Sequence, residues 1–181
     1  MTSSPAPKLY HRRTPGFHGH VLYPLNRLRD VAPEMHDFHR AKYQGREQLC
    51  AVQVPYLNCL WNDVLHFSPV HPIKVRDLVL ANRLLWAEAD WFEIDPQKLG
   101  FTRDNSVTFL YRDANRSGYD LPPEEFEPYD IEHLHDMSEI PASTGEYFSQ
   151  CSGGKYFIFV GIPHILHRGA IDTGSLPVIR A

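Results

Sequence analysis

The sequence predicts an α+β fold: a single domain with a small mixed or antiparallel split β-sheet and short flanking helices. Three observations carry that expectation. Fifteen prolines and eleven glycines in 181 residues cut the chain into short elements, unlike a helical bundle. Alternating or continuous apolar segments of strand length recur along the whole chain, whereas helical spacing is concentrated between the early ones, so a doubly wound sheet is disfavoured. A hydrophobic content of 43% over this length suits one core. We therefore expect a flexible N-terminus over residues 1–7 and one globular domain over 8–181.

Taken in order, His20 to Tyr23 reads as a short strand. Asn26 then suits a helix cap, with Leu28, Val31 and Met35 at helical spacing behind it. Pro33 restarts that helix at a first-turn position, and Gly45 stops it. Val52 to Leu57 and Val64 to Phe67 read as strands on either side of a turn over 58–63. Pro72 opens a helix running through Val75, Leu78 and Val79. Trp91 to Ile94 is a strand, and Val107 to Arg112 alternates as a half-buried one. Leu121 to Asp130 is acidic and proline-broken, which fits a surface loop, with short helices following between Ile131 and Gln150. After Gly153 and Gly154, Lys155 to Val160 is the most continuous apolar run and the expected central strand. Ile165 to Leu166 and Leu176 to Ile179 are expected at sheet edges.

Charge and cysteine usage restrict function. Eighteen Lys and Arg stand against 22 Asp and Glu, a net charge of −4, so no global basic field attracts nucleic acid and any such contact is local. Cys50, Cys59 and Cys151 have no CxxC spacing, which argues against a disulfide framework and a cysteine zinc site. No apolar run approaches the roughly 20 residues that span a bilayer. We expect a cytoplasmic protein with no membrane partner.

Eleven histidines occur partly in local groups, such as His11 with His18 and His20, or His164 with His167. None has an HExxH-type zinc spacing, so hydrogen-bonded histidines near turns are expected and no metal residue is assigned. No GxSxG elbow or P-loop occurs. The densest run of chemically capable residues is Leu60 to Pro72, where Asn62, Asp63, His66, Ser68 and His71 surround a strand that ends in a proline-restricted loop. Arg46 offers a bidentate cation for a phosphate or carboxylate.

The order of these segments resembles the ADP-ribosyltransferase fold, and within it the DarT-type enzymes that use NAD to modify DNA. Val21 to Leu28 resembles their first strand and following helix, a Tyr-His-x-Thr pattern leading into an Asn-Leu pair. Asn62 to Pro72 is similar to their strand ending in Phe-x-Pro-Arg-Ser-Pro. Val107 to Asn115 resembles a strand closing in a Thr-Asp pair, and Lys155 to Pro163 the strand that carries the catalytic glutamate. Pro24 stands where the family's first-strand histidine belongs, and Lys155 where its glutamate belongs.

The resemblance implies NAD as substrate, a nucleotide ligand, and nucleic acid as an acceptor. Arg46 would grip the pyrophosphate, with Tyr23, Asn26, Ser68 and His71 completing the nucleotide site. Catalysis then falls to Asp63, His66 and Glu146, with Glu47 as a further carboxylate, in place of the missing glutamate. Two other readings stay open: a non-catalytic nucleotide or nucleic-acid binding module on the same fold, and a histidine-based metallohydrolase.

Overall fold

A computed structural model describes residues 6–112, 121–153 and 155–181. Met1 to Pro5 of the expected flexible N-terminus, Gly154, and the Asp113 to Asn115 end of the third resembling segment lie outside the described residues. The protein is a small mixed domain with several antiparallel sheets and four α-helices among the described residues.

The chain opens with β1, Leu9–Arg12, and a short β2, Val21–Leu22. Helix α1, Leu25–Val31, starts after Pro24. Pro24 therefore takes the cap position, and Asn26 lies one residue inside the first turn, where it does not cap the helix. Ala32 is extended (φ −154°), as expected for a residue preceding proline, and Pro33 then begins α2, Pro33–Arg40. Turns of 3₁₀ helix over Ala41–Tyr43 and Glu47–Ala51 flank Gly45, whose φ of 76° breaks the helical path as expected of that glycine.

The expected strand over Val52 to Leu57 shrinks to β3, Gln53–Val54, paired with β4, Cys59–Leu60. Tyr56 and Asn58 have positive φ (68° and 47°), which turns the chain before a longer ladder forms. A 3₁₀ turn, Trp61–Asp63, leads into β5, Leu65–Phe67. Helix α3, Pro72–Ala81, begins as its sequence indicates: Pro72 is at the first position and His71 Nδ1 accepts from Ile73 N at 3.2 Å. Val75 and Val79, four residues apart, are its buried stripe.

Next come β6, Asp90–Ile94, and β7, Ser106–Phe109. The expected loop at 121–130 contains β8, Phe126–Pro128. Helix α4, Ala142–Gln150, follows, then β9, His164–His167; β10, Ile171–Asp172; and β11, Val178–Arg180.

The principal sheet runs β5-β9-β7-β8 and the second β1-β6-β11, all antiparallel. Two reciprocal backbone bonds join them, Tyr10 N to Ser68 O at 2.8 Å and Ser68 N to Tyr10 O at 2.9 Å. Lys155 to Val160 is not a strand. Tyr156, Ile158 and Phe159 pack into neighbouring apolar clusters while the backbone turns toward Gly161 (φ 75°). The central strand is β9, which the sequence reading placed at an edge. Ile165 enters one core with Phe67 and Ile94, and Leu166 enters the opposite one with Val107 and Phe109. Covered on both faces, β7 is buried along its whole length and not the half-buried strand expected.

Candidate functional site

A cleft of about 720 Å³ lies between the α1–α2 helices and the β1–β5 junction. Its size falls within the roughly 300–1,000 Å³ usual for small-molecule sites. Leu25, Leu28, Val31 and Met35, the helical apolar stripe legible in the sequence, line one part of it. Polar groups on β1 and β5, in the turn before β5, at the end of α2 and in the 3₁₀ turn after it include His11, Asn62, His66, His39, Lys42 and Tyr43.

His11, His39 and His66 form a neutral, oriented set. His11 Nδ1 donates to the His66 carbonyl at 2.9 Å, leaving Nε2 as its acceptor. His66 Nε2 donates to the Trp61 carbonyl at 3.3 Å, and its ring packs on Trp61 at 4.5 Å. His39 Nδ1 accepts from the Lys42 ammonium at 3.1 Å. Burial pushes His66 down to about 3, helped by the nearby His164. Burial also pushes His39 down to about 4, with Lys42 adding to the shift, and lowers His11. Lys42 is lowered as well, by burial and then by Arg12. At neutral pH the His11, His39 and His66 rings are therefore uncharged, and Lys42 is the lysine that lines the cleft. A ring that protonates only near pH 3 is a weak base, so His66 suits hydrogen bonding better than the proton abstraction expected of it.

The structure separates the sequence-derived site residues. Tyr23 and His66 line the cleft. Asn26 and Asp63 brace its frame: Asn26 Nδ2 donates to Asp63 Oδ1 at 2.8 Å, and Leu60 N donates to Asp63 Oδ2, also at 2.8 Å. With each oxygen held, Asp63 acts as a structural acceptor.

Arg46 is not among the lining residues. It donates to the Lys42 carbonyl at 2.6 Å and lies over the rings of Tyr43 and Phe157. Glu47 is exposed and accepts from Gly45 N at 2.9 Å. Ser68 is buried and exchanges hydrogen bonds with Val70, while His71 caps α3 and packs edge-on to Tyr10 at 4.8 Å. Glu146 is exposed on α4, whose buried Thr144 and Phe148 face other contacts. The site expected around Arg46, Ser68, His71 and Glu146 is thus not one pocket.

Residues that the sequence reading gave no site role, His11, His39 and Lys42, line the cleft. For His11 the signal was its grouping with His18 and His20, which spacing alone could not connect to β5; His39 and Lys42 stood in no group singled out. Among the described residues no three His, Cys, Asp or Glu side chains converge to hold a metal ion. Set against known proteins, the chain matches no family model, no curated protein and no solved structure.

Proposed function

We propose that the cleft binds a dinucleotide, with NAD its first candidate, and that the protein is ADP-ribosyltransferase-like. The observation that carries this reading is the gathering of Lys42, uncharged imidazoles and Tyr23 around one cleft of about 720 Å³. Lys42 supplies charge for a pyrophosphate, and the aromatic and apolar lining suits planar bases. The Tyr-His-x-Thr pattern sought at Tyr23 also has a closer counterpart, one residue longer, in Tyr10, His11 and Thr14. His11 and Thr14 both line the cleft. Transfer to a nucleic-acid acceptor requires a carboxylate near the nicotinamide ribose, and Glu34 is the carboxylate that lines the cleft. Three free cysteines suit a reducing compartment, and we place the protein in the cytoplasm. No helix among the described residues is long and apolar enough to cross a membrane.

A non-catalytic nucleotide-binding module is the second reading. It is favoured by the engagement of both Asp63 oxygens and by the weak basicity of His66. The test is a melting curve with NAD, followed by an assay for nicotinamide release with and without DNA. A ligand that binds only the folded state raises the melting temperature. No shift at millimolar NAD overturns the proposal, and a shift without release assigns the module.

A further inference from the structure

Asn62 differs from the other polar groups of the cleft. It lies in the 3₁₀ turn between β4 and β5, lines the cleft, and is only 2% exposed. Its Oδ1 is buried without a hydrogen-bond partner. An amide oxygen removed from water and left unpaired costs on the order of 1–3 kcal/mol, so a fold that keeps one beside a cavity invites a ligand donor to meet it. The imidazoles that line the cleft beside it do not supply that donor: His66 Nε2–H is committed to the Trp61 carbonyl and His11 Nδ1–H to the His66 carbonyl.

We infer that Asn62 is a specificity-determining residue, whose Oδ1 accepts an N–H from an amino or carboxamide group on a planar nitrogen heterocycle. The inference rests on the dinucleotide reading above and names the part of the ligand that is read. Asn62 lines the cleft and the terminal torsion of an asparagine is soft, so its oxygen is free to adjust toward a donor bound there. There it meets a base held flat among apolar and aromatic side chains, Leu28, Val64 and Tyr43 among those lining the cleft. A site of this kind discriminates against an analogue without the donor, because only the donor-bearing ligand pairs the buried oxygen.

NAD carries two such groups, the carboxamide of nicotinamide and the amine of adenine, and two analogues separate them. The 3-acetylpyridine dinucleotide lacks the carboxamide N–H, and the hypoxanthine dinucleotide lacks the adenine amine. Dissociation constants measured calorimetrically for all three ligands, on the wild type and on Asn62→Leu, test the inference.

The wild type is expected to bind one analogue at least tenfold more weakly than NAD, about the penalty of one unpaired buried acceptor. Asn62→Leu, of similar volume, is expected to bind that analogue and NAD alike. A ligand-free melting curve reports whether the variant folds, and Asn62→Ala replaces it if leucine does not fit. Equal wild-type affinity for all three overturns the inference and leaves the dinucleotide reading standing, as does discrimination that survives in the variant. Failure of the wild type to bind any of the three overturns both.

Discussion

Asn26 on α1 and Asp63 before β5, 37 residues apart, are joined by a hydrogen bond of 2.8 Å that ties the helical side of the cleft to its strand side. Because Asp63 also accepts from Leu60 N, the same carboxylate fixes the turn that presents Asn62 and His66. Hydrogen bonds to a charged group contribute roughly 1.5–3 kcal/mol when partly buried. Asn26→Ala is therefore expected to lower unfolding stability by about 1–2 kcal/mol, and Asp63→Ala by more, since it also orphans the Leu60 amide. Urea denaturation of both variants measures this. Unchanged midpoints would return Asp63 to the list of candidate catalytic groups.

Thr144 and Val160 show what holds the non-strand segment in place. Thr144 Oγ1 donates to the Val160 carbonyl at 2.9 Å, buried between α4 and the 155–163 stretch. Thr144→Val keeps the shape but leaves that carbonyl unpaired, so a loss of about 1–3 kcal/mol is expected in the same denaturation assay. A neutral result would mean that apolar packing by Tyr156, Ile158 and Phe159 alone fixes the segment.

That segment also marks where the sequence stopped being readable. Lys155 to Val160 has the apolar content of a buried strand, but a short apolar run does not reveal whether two backbones are free to pair with it. β5 and β7 both pair with β9 instead, whose His164 and His167 at the ends disguised a strand buried on both faces. β1 was missed for a related reason: Leu9 and Tyr10 are followed by charged and titratable residues, and only pairing with β6 and Ser68 makes the segment a strand. Where local rules suffice they held, as in the restart of α2 at Pro33 and the opening of α3 at Pro72. At the site, the Asn62 to His66 run was legible as a cluster. Its partners His11, His39 and Lys42 come from distant segments, and periodicity carries no information about tertiary neighbours.

Buried histidines set the expected pH dependence. His66 is lowered to about 3, and His39, His164 and His167 to about 4, with burial the leading cause in each. Their unfolded value is 6.5, so between roughly pH 6.5 and 4 the unfolded chain binds more protons than the folded one. Stability is then fully present above pH 6.5 and falls as pH drops through about 4. His167 is the cleanest probe, being 4% exposed with Nδ1 3.0 Å from Ser106 Oγ and its ring stacked on Phe101. His167→Gln is expected to lower stability at pH 7 but to flatten its decline between pH 6.5 and 4. A decline as steep as that of the wild type would assign the effect to other groups.

Lys42 and Arg46 are four residues apart and are expected to differ in ligand binding, because only Lys42 lines the cleft. Arg46 is occupied by the Lys42 carbonyl and two aromatic rings. If the anionic part of the ligand meets Lys42, Lys42→Ala should weaken NAD binding about tenfold or more, the value of a charge-assisted contact to phosphate. The residual affinity should also depend less on salt, since one ion-pairing cation is gone. Arg46→Ala should cost little affinity, and Glu146→Gln, on the exposed face of α4, should cost none. Calorimetric titrations at two salt concentrations distinguish these outcomes. A collapse of binding in Arg46→Ala with normal binding in Lys42→Ala would move the anion site out of the cleft and onto the loop after α2.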